Sequence, residues 1–279
     1  MIASEPSIAA VEIDQLERVR IGHALIHALP FSEAVRLIVE RATRSTEPAY
    51  IVTPNAQHIV LLEGDPYLRR IYDEAALVVS DGASLLIAAR YLGGKLVERI
   101  AGVDLFQQIC GRAAEVSLRV FLLGGRPGSA AKAATNLKDR YPGLFIAGTY
   151  CPAWGFEKDP DQLREISEAI RESRPHIVFV ALGAPKQEYW IYEHGRKLGV
   201  PICMGIGGAF EMVGGLTRRA PRWIQRAKLE WLFRLLVEPR RLWRRYLIGN
   251  LQFASIVLRQ WVNSGERAGH AYGRVEGRR

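Results

Sequence analysis

Cysteine is scarce in this chain of 279 residues: Cys110, Cys151 and Cys203 stand far apart and are odd in number. They offer neither metal-ligand spacing nor a disulfide framework, which fits a reducing cytoplasm. No apolar run approaches the roughly 20 residues that a membrane-spanning helix needs. The first ten residues include Glu5 and lack a basic, apolar signal pattern, so residues 1–20 read as a disordered leader. Gly-Lys-Ser and Gly-Lys-Thr are absent, which removes a P-loop nucleotidase. There is no internal repeat and no low-complexity tract. Acidic residues are sparse in the last quarter. Residues 217–279 carry 15 Lys+Arg against 4 Asp+Glu, a net of +11, whereas residues 1–216 carry 23 against 25, a net of −2. Such asymmetry calls for an anionic partner: a membrane surface, nucleic acid or an acidic substrate.

What is present is a globular chain, 48% hydrophobic, long enough for a proper core. Residues 11–23 read as a short strand and turn. A helix over 31–45 opens at Ser32, with apolar Ala34, Leu37, Ile38 and Ala42 on one face. Buried strands are expected at 49–53, 76–80, 119–123, 145–150, 176–182 and 201–206, separated by helices near 56–62, 66–74, 83–91, 104–115, 129–140, 160–173 and 187–197. This alternation predicts an α/β fold: a mostly parallel, Rossmann-like sheet with helices on both faces, over residues 21–215.

In such sheets ligands bind beyond the carboxyl ends of the strands. Thr53 and Asn55 follow one strand and Asp81-Gly82 another, so a hydroxyl, an amide and a carboxylate would share a crevice, the carboxylate as a general base. The plainer alternative makes Asn55 and Asp81 helix caps or turn formers. Gly124-Gly125, between strand and helix, suits either a phosphate cradle or a tight turn. The following strand ends Gly148-Thr149-Tyr150 without the acid of a dinucleotide fingerprint, which counts against an NAD enzyme. In Gly183-Ala184-Pro185-Lys186-Gln187-Glu188, Lys186 and Gln187 could reach a diphosphate or sugar, or the segment is simply a Pro-initiated helix. Gly207-Gly208-Ala209-Phe210-Glu211 permits close backbone approach, with Phe210 either stacked on a base or in the core. Asp159-Pro160-Asp161 matches a metal-binding Asp-x-Asp but precedes a helix, and reads as an N-cap. His58, His176 and His194 have no metal-triad spacing.

Residues 216–262 form an appendage of another character. Pro221 opens a helix with Ile224, Leu229, Trp231, Leu232, Leu235 and Leu236 interleaved with Arg218, Arg219, Arg222, Arg226, Lys228 and Arg234. After Pro239 a second helix carries Arg240, Arg241, Arg244 and Arg245, and an apolar stripe of Trp243, Leu247, Leu251, Ala254, Leu258 and Trp261. Basic, aromatic and amphipathic together predict a helix lying in an anionic membrane surface, against packing on the core or on a second subunit. Nothing resembles a nucleic-acid module. Residues 263–279 read as a disordered tail.

Taken together, Thr53-Pro54-Asn55-Ala56, Asp81-Gly82, Glu98 through Leu105, Leu123-Gly124-Gly125, Leu182 through Glu188, Gly205 through Phe210, Arg219-Ala220-Pro221, Leu229-Glu230-Trp231 and Glu238 through Arg241 resemble the WecG/TagA/CpsF family of bacterial glycosyltransferases. The resemblance spans about residues 20–248. It implies an inverting, metal-independent transfer from a UDP-sugar to an undecaprenyl-diphosphate-linked saccharide, in cell-surface polysaccharide synthesis at the cytoplasmic face of the plasma membrane. It assigns Asp81 as the base and places Thr53 and Asn55 in the pocket. Arg99, Gln187 and Lys186 then serve the sugar or diphosphate, and Gly124, Gly125, Gly207, Gly208, Phe210 and Glu211 hold UDP. No cofactor is implied, and homo-oligomerisation stays open. The competing class is a non-catalytic nucleotide- or lipid-binding scaffold on the same fold.

Overall fold

The structure is a computed structural model and describes residues 13, 15–221, 223–224, 230–237 and 239–272. Of the expected leader (1–20), residues 1–12 and 14 lie outside the described residues; of the expected tail (263–279), residues 273–279 do, while 263–272 are helical, contrary to expectation. Arg222, Arg226, Lys228 and Leu229 also lie outside the described residues. So do the side chains of Arg234, Arg240, Arg241, Arg244 and Arg245.

The chain opens with an antiparallel hairpin, β1 (Arg18–Ile21) and β2 (Ala24–His27), turning at Gly22. β1 therefore begins inside the segment expected to be a leader, and β2 is a strand that alternation alone did not reveal. Then come α1 (Phe31–Arg44), β3 (Ala49–Val52), α2 (Ala56–Gly64), α3 (Pro66–Asp73), β4 (Leu77–Val78), α4 (Ala83–Tyr91) and α5 (Gly102–Glu115). The second half runs β5 (Arg119–Gly124), α6 (Ser129–Arg140), β6 (Phe145–Tyr150), α7 (Pro160–Ser173), β7 (Ile177–Ala181), α8 (Lys186–Glu193), β8 (Ile202–Gly205) and α9 (Ala209–Val213). Two helices follow, α10 (Glu230–Val237) and α11 (Pro239–Tyr272).

Strands β3 to β8 form one parallel sheet in the order β4-β3-β8-β7-β5-β6. Because all six run the same way, the loops after every strand gather on one edge. The chain leaves β5 outward to β6 but leaves β7 inward to β8, so a switch point lies between β5 and β7.

Strand side chains alternate between two cores, as the two-residue period requires. Ile51, Val120, Leu122, Ile177, Phe179 and Met204 pack with α1, α5, α6 and α9. Val52, Phe121, Leu123, Val178, Val180 and Cys203 pack on the other face with α2, α3, α4, α7, α8, the hairpin and two residues of α11. These near-continuous apolar strands are what burial on both faces demands.

Local signals were mostly read in the expected way. Asp159 caps α7, its side chain accepting from the Asp161 and Gln162 amides. Ser32 is an exception. α1 starts one residue earlier, at Phe31, and its first amide donates to Glu98 Oε1, 2.5 Å away in a distant loop. The expected helix over 187–197 ends at Glu193, and a separate turn of 3₁₀ helix covers Gly195–Leu198.

Candidate active site

β3 and β4 pair side by side, and their ladder continues beyond the regular strands: Val79 N donates to Val52 O at 3.0 Å and Asp81 N to Pro54 O at 2.7 Å. This extension holds Asp81 beside the Thr53–Asn55 segment. The loop before α5 then closes over the pair. Ser80 Oγ donates to Glu98 O, Ile100 N donates to Ser80 O, and Gly102 N donates to Asp81 Oδ2 at 3.2 Å. A side chain at position 102 would stand 3.4 Å from Thr53 Oγ1 and 3.5 Å from Asp81 Oδ2, so hydroxyl and carboxylate flank one point that only glycine leaves open.

The three residues differ in how free they are. Thr53 is buried, and its hydroxyl donates to Gly205 O at 3.3 Å. Asn55 is the N-cap of α2: its carboxamide oxygen accepts from Gln57 N, while His58 Nδ1 accepts from Asn55 N, a reciprocal capping box. The capping alternative therefore holds for Asn55, whose Cβ stands close to Gly82. Asp81 does not cap the helix that follows it, since α4 begins after Gly82 with no side-chain cap; its Oδ2 instead accepts from Gly102 N, the first amide of α5. Burial pushes the Asp81 carboxyl above its ordinary range, against the opposing pull of the Gly102 amide and the Arg99 guanidinium; Glu230 pushes the same way as burial. A carboxyl raised in this way suits proton abstraction near neutral pH.

Arg99 reaches Glu230 Oε2 at 3.1 Å. Arg219 grips Asp104 with two bonds, at 2.5 and 2.7 Å, and lies 3.4 Å from Glu230 Oε1. Two guanidinium groups thus meet the carboxylate of Glu230 at the start of α10, and Arg99 and Glu230 both act electrostatically on Asp81. Gly102, Asp104, Arg219 and Glu230 were all within the motifs that the sequence displays, but no spacing rule joins positions 115 or more residues apart.

Other expected ligand contacts are placed differently. Gln187 is buried, its amide bonded to Glu188 and to the Gly207 amide, so it faces inward instead of toward a sugar. Lys186 is exposed, with its ammonium 4.7 Å from the centre of the Trp154 ring and paired with Glu157. Gly124 is packed so closely that a Cβ would lie 2.7 Å from Ala181 O, and the Gly125 amide is already given to that same carbonyl. The tight-turn reading therefore accounts for both glycines. Gly207 N is engaged by Gln187, while Gly208 is exposed. Glu211 is buried, and its carboxylate braces the glycine loop by accepting from Arg126 N at 2.8 Å.

Phe210 is fully buried and meets Phe106 edge-on at 5.6 Å, so its ring is a core element and cannot stack on a base. Phe210→Ala is expected to cost about 3–5 kcal/mol of stability in chemical denaturation. Phe210→Leu should leave UDP affinity unchanged in calorimetric titration; a large loss of affinity with a sound fold would restore the stacking role.

The sequence profile of the "Glycosyl transferase WecG/TagA/CpsF family" matches residues 19–267. The chain belongs to this family. Relatives of this glycosyltransferase carry the name N-acetylglucosaminyldiphosphoundecaprenol N-acetyl-beta-D-mannosaminyltransferase. One from Bacillus spizizenii is 35% identical over 199 residues, 71% of this chain and 75% of the relative. One from Bacillus subtilis is 30% identical over 193 residues, 69% and 72% of the two chains. One from Staphylococcus aureus is 30% identical over 218 residues, 78% and 81%. The matched span includes the parallel sheet, the Asp81 crevice and most of α11.

Proposed function

We propose that this glycosyltransferase moves a sugar from a UDP-sugar to a saccharide carried on undecaprenyl diphosphate, with inversion and without a metal cofactor. The observation that carries the reading is Asp81: a carboxylate of raised pKa at the strand ends, beside Thr53 and open toward a point that Gly102 leaves clear. The acceptor hydroxyl attacks the anomeric carbon while its proton passes to the Asp81 carboxylate. The bond from that carbon to the diphosphate oxygen breaks, and its electron pair leaves with UDP. A single base opposite the leaving group is all that such a displacement requires. Negative charge growing on the diphosphate is met by guanidinium groups, and Arg99 and Arg219 converge there on a carboxylate, Glu230, that a diphosphate would replace. The relatives' names describe a β-linked product, which from an α-linked nucleotide sugar means inversion.

The acceptor is membrane-held, and α11 supports access to it. Gly249, Phe253 and Ile256 are buried on the protein side, Gly249 close against Gln57 of α2. Trp243, Leu247, Leu251, Leu258 and Trp261 face outward and are roughly half exposed or more. The apolar stripe expected from the sequence is thus turned away from the core. Among the described residues no helix is long and apolar enough to cross a membrane. We assign this stripe to the anionic cytoplasmic surface of the plasma membrane.

The test is a screen of UDP-sugars against undecaprenyl-diphosphate-linked N-acetylglucosamine, with the product's linkage determined. UDP release with a β-linked disaccharide is expected for at least one donor. UDP binding without transfer for every donor would favour the scaffold alternative.

A further inference from the structure

We propose that His58 and Glu188 are positioning residues of this active site, joined in a buried chain that registers the three loops after β3, β7 and β8. The proposal rests on the transfer reading above and names residues that reading does not use.

The chain can be followed atom by atom. Asn55 N donates to His58 Nδ1 at 3.2 Å, so that nitrogen carries a lone pair and the ring proton sits on Nε2. His58 Nε2 lies 3.6 Å from Glu188 Oε1. The same oxygen accepts from Gln187 Nε2 at 2.9 Å. That bond orients the carboxamide, whose oxygen accepts from Gly207 N at 3.0 Å. One line of polar groups therefore runs from the Asn55 backbone to the Gly207 backbone through two side chains of α8. Its three side chains are all buried: His58 is 5% exposed, Gln187 3% and Glu188 2%. The Gln187 amide is seated against the main chain, since a Cβ on Gly205 would come within 2.6 Å of it. Gly205 O in turn receives the Thr53 hydroxyl.

Packing alone does not ask for this arrangement. A buried carboxylate beside an imidazole is costly to desolvate, and apolar side chains of similar volume commonly give equal or greater stability. What the polar chain supplies is direction. The Asn55 amide fixes the ring tautomer of His58, whose Nε2 faces Glu188 Oε1 across an electrostatic contact of 3.6 Å, and the Glu188 carboxylate fixes the flip of Gln187. Those two in turn fix where Asn55 and Gly207 stand relative to Asp81. Displacements of about 1 Å at a reacting centre are worth on the order of a hundredfold in rate.

The test uses the full chain and compares His58→Gln with His58→Glu. Either residue completes a capping box with Asn55 equally well. A histidine that only caps therefore predicts the same kcat for both variants. Coupling to Glu188 predicts that His58→Gln stays within about tenfold of the parent, while His58→Glu, which sets two carboxylates against each other, falls by about a hundredfold. Adding Glu188→Gln to His58→Glu should restore kcat to the level of Glu188→Gln alone. If His58→Glu does not fold, the double variant supplies the same comparison through recovery of both melting temperature and rate.

Ile166→Ala, a core truncation on α7, is the control: it should lower the melting temperature without lowering kcat below its midpoint. Equal rates for the two His58 variants would overturn the proposal. So would an absence of recovery in the double variant, or a rate loss that the control reproduces at equal melting temperature. A parent chain inactive with every donor would instead overturn the transfer reading, and the positioning role with it.

Discussion

Asp81→Asn should reduce transfer about a thousandfold, within the range that a positioned general base contributes, while leaving UDP affinity almost unchanged. The substitution keeps an oxygen for the Gly102 amide, so the loop before α5 stays closed, and it removes only the group that takes the proton. The same change should make the protein more stable. Burial raises the Asp81 pKa above its unfolded value. Such a group contributes its full stability below the unfolded-state pKa and loses it as pH rises through the folded-state pKa. At neutral pH the ionised carboxylate is thus a net burden, and replacing it with a neutral amide should raise the melting temperature. The rate should climb as Asp81 deprotonates, with an acid limb above the ordinary carboxylate range of about 4, and that limb should vanish in the variant. Wild-type turnover by Asp81→Asn, or an unaltered pH profile, would remove Asp81 from the role of base.

Replacing Leu247, Leu251 and Leu258 together by Glu should abolish binding to anionic vesicles. All three face outward on α11, with exposures of 63%, 68% and 60%. A leucine taken fully out of water is worth about 1.5–3 kcal/mol, so three half-inserted side chains amount to a few kcal/mol, or about a hundredfold or more in partitioning. Each new carboxylate also opposes the attraction of the basic appendage for anionic lipid, about 1 kcal/mol per Lys or Arg near the surface. The melting temperature should not move, because none of these side chains touches the core. Sedimentation with vesicles at low and high salt measures the effect. Unchanged binding of the triple variant would transfer the stripe from the membrane to another partner.

The parts of the fold legible in the sequence were those governed by local periodicity. Runs such as Val120–Leu123 and Ile177–Val180 are apolar at every position because both faces of a parallel sheet are covered, and each was readable as a buried strand. Thr53 and Asp81 were readable as neighbours, since consecutive parallel strands place their ends together, and the structure brings them within reach of one point beside Gly102. Asp159 was readable as a cap because capping is settled within four residues.

The misreadings have one physical source, namely contacts that only the tertiary fold creates. Glu98 takes over the start of α1 from Ser32 across 67 positions. Gln187 carries a side chain suited to sugar hydroxyls, but α8 turns it inward, where Glu188 and Gly207 complete its bonds. Phe210 stands just beyond Gly207-Gly208, but α9, which begins at Ala209, turns its ring onto Phe106. On α11 the stripe was found and faces away from the core, as a surface-seeking stripe would; the docking side of the helix was not found. Phe253 and Ile256 are too few to stand out as a second apolar face, although they are the residues that dock.

Those docking residues also govern the order in which the molecule can be completed during synthesis. Gln260 Oε1 accepts from Gly22 N at 2.7 Å, and its amide donates to Arg20 O at 3.0 Å, so the turn of the first hairpin is bonded to a residue 238 positions later. Two four-residue strands are marginal by themselves, and Ile256 comes to rest against that same turn. A nascent chain emerging from the ribosome therefore carries an unfinished hairpin until nearly all of it has been made. A premature stop before residue 253 would leave the first strands without their final support. Shortened forms of this protein should accordingly announce themselves by insolubility and proteolysis before any loss at the membrane can be measured.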